Sequence, residues 1–557
     1  EQLTSINPAQ QQYQPPTTPL EVALRELWIS VLKLGSRKIS TADNFLELGG
    51  DSIDAMRLVG TARDHGLSLS VVDIFKYPKF SDMAALLRSL DKPQSEEPEV
   101  FQPTSLLSKD HNKDQILSRL VDFGIELGNV EDILPVTDHQ ARSIAMTHSA
   151  SRDLLLYHTL DGKGVPNMRK MRAVCDELVN RYDLMRTLFI AYKDSFLQVV
   201  LKAFPVDITV LTSENASLEE CTEELRLRDR DDELLYGSLL TKIAILHQIR
   251  DNEYRLVVRM SHAQHDGMSL MKMWNAFEEM YGDGSDDSFH IPSDTSFQEK
   301  SKASFSNYMH AVAGTSLEQA KSHWRRLLNG SSMTNLKPHA SHALTFGEGP
   351  CVTRHVPKSI AQGTGFTFST VLKAAWAYVL AKHLANDDVV FCNLTHGRGL
   401  PGTQDVFGAC VNIIPTRVSF TDGWTVYDLL SALNTQQIAN MEHENIGTRQ
   451  IVRGCTTWPK WTYAGSIVYH HDFDDGEHIA HGRSMHVEQE LDLSHGKVDM
   501  TDVHITSKPD NNMFQIELDF APGVVSERDA ELLTAKLTDT IIVFCNFMDM
   551  PLLSPNE

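Results

Sequence analysis

Between residues 254 and 274 the hydrophobic pattern changes its period. Tyr254, Leu256, Val258 and Met260 alternate with Arg255, Val257, Arg259 and Ser261, the two-residue repeat of a strand. His262 keeps the phase of the apolar set, so the pattern turns its ring toward the apolar side. After AQHDG, the run MSLMKMWNAFEEM carries apolar residues three and four apart, the repeat of an amphipathic helix. An imidazole on the inward face at a strand end, beside an Asp and a Gly, suits a general base, although a lone His in this setting is more often a satisfied core residue.

The same reading organises the rest of the chain. Residues 1–17, polar and rich in Gln and Pro, predict a disordered lead-in. TPLEVALRELWISVLKLG places Leu20, Val22, Leu24, Leu27, Val31 and Leu34 on one helical stripe ending at Gly35. Ser52 opens a second helix after a GGD loop, a short helix follows, and a fourth lies beyond Pro78 with Ser81 or Asp82 as cap. These helices predict an all-α unit over 18–91. Residues 92–115 carry three prolines among polar residues and read as a linker, semi-rigid where the prolines fall. Further on, 368–384 is a strongly apolar helix capped by Ser369 or Thr370, 388–397 a buried strand, 513–522 an alternating strand and 527–548 a last helix. Strands interleaved with helices predict an α/β remainder with mixed sheets.

Composition narrows the function classes. At 557 residues the chain exceeds a single ordinary core. Its 41% hydrophobic and 22% charged residues are those of a globular protein. A net charge of -23 argues against a nucleic-acid surface or an anionic membrane as partner. There is no run of eighteen apolar residues. Seven scattered cysteines without a CxxC pair favour a reducing, cytoplasmic setting over zinc or a disulfide framework. A first residue of Glu1 reads as a piece of something longer. GDGSDDS (282–288) has the composition of a calcium loop without its register and reads as a plain loop. Five histidines in SIVYHHDFDDGEHIAHGRSMH (466–486) lack any HExxH spacing, so no metal site is expected.

Two motifs carry resemblances. LGGDSI before the second of four short helices resembles a peptidyl carrier protein, whose motif serine, here Ser52, bears 4′-phosphopantetheine. Two glycines keep that backbone open, and a helix N-terminus favours the added phosphate. SHAQHDGMS resembles the HHxxxDG motif of condensation domains of nonribosomal peptide synthetases, in the chloramphenicol-acetyltransferase-like superfamily. DILPVTDHQ (132–140), NRYDLMRTLF (180–189), FSNYM (305–309) and FGACVNIIP (407–415) are similar to further family segments, so the resemblance runs from about residue 130 to the end.

The resemblance implies two α/β lobes, one over 116–295 and one over 296–557, meeting at a central cleft or tunnel. It makes His262 the catalytic residue, as base or as a positioning and intermediate-stabilising group. Asp266 becomes a structural acid paired with Arg186, and Gly267 a turn or close-packing residue. It places His470 or His471 toward the acceptor side of the substrate, and leaves His265 as a loop histidine. Ser261 replaces the first His, as in fungal terminal condensation-like domains, which release a peptidyl thioester by cyclising it. The implied partners are upstream synthetase modules, a phosphopantetheinyl transferase and the carrier docking on its own condensation-like domain. The alternatives are elongation between two carrier-bound groups and a non-catalytic recruiting domain. Epimerisation ranks lower, because THGRG (395–399) lacks the glutamates of that subfamily's motif.

Overall fold

The computed structural model describes residues 13–89, 102–109, 111–149, 152, 154–204, 208–282, 304–336, 349–471, 484–489 and 501–553. The lead-in, the linker, the histidine-rich stretch and GDGSDDS therefore lie partly outside the described residues, as does the side chain of Ser52.

Helices α1 (Pro19–Val31), α2 (Ser52–Asp64), α3 (Val71–Lys76) and α4 (Phe80–Ser89) form the first unit. In α1, Leu24, Leu27 and Val31 are buried as the stripe predicts, but Val22 is exposed. Trp28 takes the centre instead, edge-on to Phe45 and Phe80 at 5.3 and 5.1 Å. Asp51 caps α2 by accepting from the Asp54 amide, which makes Ser52 the first helical residue. Helix α4 begins at Phe80, ahead of both predicted caps, so Ser81 and Asp82 sit inside its first turn.

The N-terminal lobe follows as α5 (Lys113–Asp122), β1 (Val130–Pro135), α6 (Asp138–Thr147), β2 (Leu155–Lys163), α7 (Met168–Arg181), β3 (Thr187–Tyr192) and β4 (Ser195–Leu201). It continues with β5 (Ile208–Ser213), α8 (Leu218–Asp231), β6 (Lys242–Gln248), β7 (Glu253–Ser261) and α9 (Gly267–Tyr281). Strand β7 is the middle of a five-stranded sheet, antiparallel to β2 and β6. Its apolar set joins the core made with Val174, Leu178, Trp274 and Phe277 of α7 and α9. The opposite face is buried too. Arg255 and Arg259, both 3% exposed, lie on the α8 side. Arg255 binds Asp161 and Glu219; Arg259 binds Asp229 and the Leu240 carbonyl. Each buried guanidinium thus has a carboxylate, which is what its desolvation requires.

The second half contributes α10 (Phe305–Gly314), α11 (Leu317–Leu327), β8 (Cys351–Pro357), α12 (Phe368–Leu384), β9 (Asp388–Thr395), β10 (Asn412–Ser419) and α13 (Val426–Met441). After these come α14 (Thr448–Cys455), β11 (Ser466–His470), β12 (Ser484–Gln489), β13 (Val503–Asp510), β14 (Met513–Phe520) and α15 (Glu527–Asn546). Its six-stranded sheet runs β10-β9-β11-β13-β14-β8. Helix α12 is buried on nearly all sides against that sheet, α13 and α15. Its cap is Thr367, accepting from the Thr370 amide, rather than Ser369 or Thr370.

The halves interlock. Phe305, Tyr308 and Met309 of α10, with Val406, Phe407 and Cys410, enter the N-terminal core. Strand β12 pairs antiparallel with β2 at the edge of the N-terminal sheet. The lobe that the sequence bounds at 116–295 is completed by these later segments. Among the described residues no helix is long and apolar enough to cross a membrane.

Candidate active site

The turn between β7 and α9 carries His262, half-buried, and almost every other residue of it is tied to a different element. The Ser261 hydroxyl meets Thr147 Oγ1 of α6 at 2.7 Å. The Ala263 carbonyl accepts from Gln140 Nε2 at 3.1 Å. Gln264 accepts from the Ser261 amide and donates to the Leu184 carbonyl and Thr241. His265 Nε2 lies 3.0 Å from Nε2 of His158 on β2. Gly267 is the first residue of α9 and uses no left-handed backbone.

Asp266 is the hub. It caps α9 through the Ser269 amide, accepts from the Cys410 amide at 3.1 Å, and binds Arg398 in a bidentate pair at 2.7 and 2.9 Å. Both partners are essentially inaccessible, at 1% and 0% side-chain exposure. Burial alone would raise the carboxyl, but Arg398 and the Ser269 hydrogen bonds outweigh it and hold Asp266 below the usual carboxylate value. The pair therefore stays charged.

This corrects the expected partner. Arg186 binds Glu131 at 2.9 Å instead. It closes a short 3-10 turn (Asp183–Arg186) beside β1, whereas Arg398 enters from the loop after β9, directly below the start of α9. Arg398 belongs to THGRG, which the sequence offered only as an imperfect epimerisation motif.

His262 Nδ1 lies 2.9 Å from the His265 carbonyl oxygen. A carbonyl only accepts, so Nδ1 carries the hydrogen, and in the neutral ring Nε2 keeps its lone pair. Three further imidazoles surround it. His139 meets it edge-on with centroids 5.1 Å apart, and His265 stacks parallel at 5.2 Å and 4°. Burial pushes His139 and His158 down to about 3, and His265 well below its ordinary value. His265 thus lies in the predicted loop but is 1% exposed. Among the described residues no group of three or more His, Cys, Asp or Glu is arranged to hold a metal.

An open cavity lies between the helical unit and the second half of the chain, and Arg398 in its wall links it to Asp266 of this turn. Met56 of α2 and Val71 of α3 line one end, and Arg398 lies in its wall beside Glu444 and His470. Met268, Ile438 and Met441 pack on the core of the helical unit, and Arg63 reaches Asp405 at 2.7 Å. His470 Nδ1 is 3.2 Å from the Ser507 hydroxyl. His471, whose amide binds the Ser507 carbonyl, is not part of the lining. Burial pushes Glu444 up to about 8 and, with Arg398 close by, Lys272 down to about 8. No periodicity or motif marked His158 or Glu444 in advance, and the motifs that contain Arg398 and Gln264 assigned neither a role.

Comparison with known proteins decides the family. The family described as "Condensation domain" matches residues 130–546, and "Phosphopantetheine attachment site" matches 22–87. The chain belongs to the condensation-domain family. This condensation domain and its carrier are 37% identical over 492 residues to nonribosomal peptide synthetase nlsA of Emericella nidulans, covering 82% of the chain and 8% of that protein. They are 31% identical over 554 residues to easA of the same organism, covering 95% and 7%. The chain thus spans under a tenth of these two fungal relatives.

A solved structure titled "The crystal structure of holo T3CT" aligns with TM-score 0.65 at 24% identity, over 81% of this chain and 100% of the other. The starter condensation domain of rhizomide synthetase aligns at 0.59 and 15%, over 76% and 98%. These identities establish the fold, a helical carrier followed by a two-lobed α/β condensation domain. The condensation domain is an enzyme of the C–N bond-forming type, and the carrier bears 4′-phosphopantetheine.

Proposed function

We propose that this condensation domain releases a peptide carried on its own carrier by intramolecular amide formation, with His262 accepting the proton of the attacking nitrogen. The observation that carries the reading is the fixed tautomer of His262. Its Nδ1–H is spent on the His265 carbonyl, so Nε2 is left as the acceptor. Attack forms the C–N bond and breaks the C–S bond of the substrate thioester. The proton taken up by Nε2 leaves with the departing sulfur, so no other reagent is consumed. General-base assistance of this kind contributes about 10²–10⁴-fold.

The residues present fit 4′-phosphopantetheine on Ser52. Met56, one helical turn beyond Ser52, already lines the cavity, and the amide side chains of Asn393, Gln437 and Asn440 offer partners for an amide-bearing arm. When bound, the group supplies the thiol that holds the peptide as a thioester. Arg398, in the wall of that cavity, ties it to the turn of His262 through Asp266. Docking of the carrier through Arg63–Asp405 and Met441 supports attack within one chain rather than between two.

Intact-protein mass spectrometry tests this on the full chain loaded at Ser52 with a synthetic linear peptidyl-pantetheine. Cyclising release predicts return to the bare pantetheinyl mass, liberation of the linear peptide minus water, and a loaded His262→Ala protein. Product appearing only when a loaded second carrier is added would instead establish elongation.

A further inference from the structure

Two of the imidazoles near His262 form a construction that packing alone does not ask for. His158 of β2 and His265 are 0% and 1% exposed. Their rings stand at 89°, with Nε2 facing Nε2 at 3.0 Å. Both are held neutral by burial. Two neutral rings meeting in this way bond only if one carries its hydrogen on Nε2 and the other does not. Nδ1 of the His158 ring is then buried without a hydrogen-bond partner among the described residues, a cost that an apolar pair of the same shape would avoid.

What the construction secures lies one residue group away. The His265 carbonyl accepts Nδ1–H of His262 at 2.9 Å, and the His265 ring stacks on the His262 ring. We infer that His158 and His265 are positioning residues: the ring–ring bond clamps residue 265 so that its carbonyl holds His262 with the hydrogen on Nδ1 and the lone pair on Nε2. The inference rests on the reading of His262 as proton acceptor. Neither residue touches substrate in this role. Gln264 and Asp266, anchored to Leu184 and Arg398, fix the flanking backbone, which leaves the clamp to set the tilt of the carbonyl between them.

Alkylation reads the tautomer without any need for the natural substrate. The full chain is treated with iodoacetamide, and the His262 peptide is analysed for Nε2 against Nδ1 adducts. Wild type is expected to give the Nε2 adduct alone. His158→Leu and His265→Phe each remove the ring–ring bond from one side while keeping bulk. Each should add an Nδ1 adduct and slow release from a peptidyl-loaded carrier on the order of 10–100-fold, the scale of an ångström-sized misplacement. His158→Gln, whose amide nitrogen reaches the old Nε2 position, should restore both readouts.

Thermal unfolding identifies a variant that has lost its fold, and the other deletion then stands in for it. Nδ1 adducts in wild type, or Nε2 adducts alone in a folded deletion variant, overturn the positioning role. Release unaffected by His262→Ala would instead sink the catalytic reading, whatever the alkylation pattern.

Discussion

At the scale of single residues, two arginine–carboxylate pairs separate by their burial. Asp266–Arg398 is inaccessible on both sides, whereas Glu131, the partner of Arg186, is 49% exposed. Removing one charge from a buried pair strands the other, at about 3–5 kcal/mol. An exposed pair contributes about 0–1 kcal/mol. Asp266→Asn should therefore destabilise the domain by about 3–5 kcal/mol, read from urea unfolding, while Glu131→Gln should shift the midpoint little. Equal shifts would mean that Arg398 finds other compensation in the Val406 and Gly408 carbonyls it already touches.

The sequence singled out His262 and Asp266 together, four positions apart in one short motif, and Ser52 in another. It could not point to Arg398, which lies 132 residues from Asp266. Nor could it mark His158, which follows the phase of an ordinary strand. A contact made by folding leaves no local spacing to read.

At the scale of elements, periodicity located the strand and helices around the turn but not what covers them. A two-residue repeat assigns Arg255 and Arg259 to one face of β7, yet only the packing of α8 decides that this face is dry. Caps failed for a related reason. TFST offers three hydroxyls within four residues, and the helix starts after the first. Thr367→Ala should cost α12 about 1 kcal/mol, and Ser369→Ala less than about 0.5 kcal/mol, as read from urea unfolding. A larger loss for Ser369 would mean that the cavity it lines contributes to folding as well as to binding.

At the scale of the whole molecule, buried titratable groups set a pH optimum. His139 and His158 sit near 3 in the fold against 6.5 when unfolded. The unfolded chain therefore binds more protons as pH falls below about 6.5, and stability is lost by about 1.4 kcal/mol per pH unit for each. Glu444 acts in the opposite sense. Raised from 4.5 to about 8, it holds a proton that the unfolded chain releases, so stability drains away as pH rises toward 8. The urea midpoint should peak near pH 6.5 and fall on both sides between 5 and 8. A flat acid limb would mean that the histidine cluster takes up protons without unfolding.

Docking of the carrier adds a second molecule-wide expectation. Arg63 and Asp405 are 36% and 48% exposed, so Arg63→Ala should slow release by no more than about fivefold, within the 0–1 kcal/mol of an exposed pair. Added salt should slow wild type in parallel. Rates insensitive to both would leave the contacts of Met268, Ile438 and Met441 as the whole of the docking energy.

The pairing of β12 with β2 bears on how the chain is made. A ribosome adds roughly 5–20 residues per second, so the edge strand of the N-terminal sheet leaves it some 10–45 s after β7 has done so. Through that interval β2 presents an unpaired edge, the kind of surface that recruits a foreign strand. Expression hosts and temperatures that shorten the wait, or a chaperone that shields the edge, should decide the yield of active protein more than the final stability does.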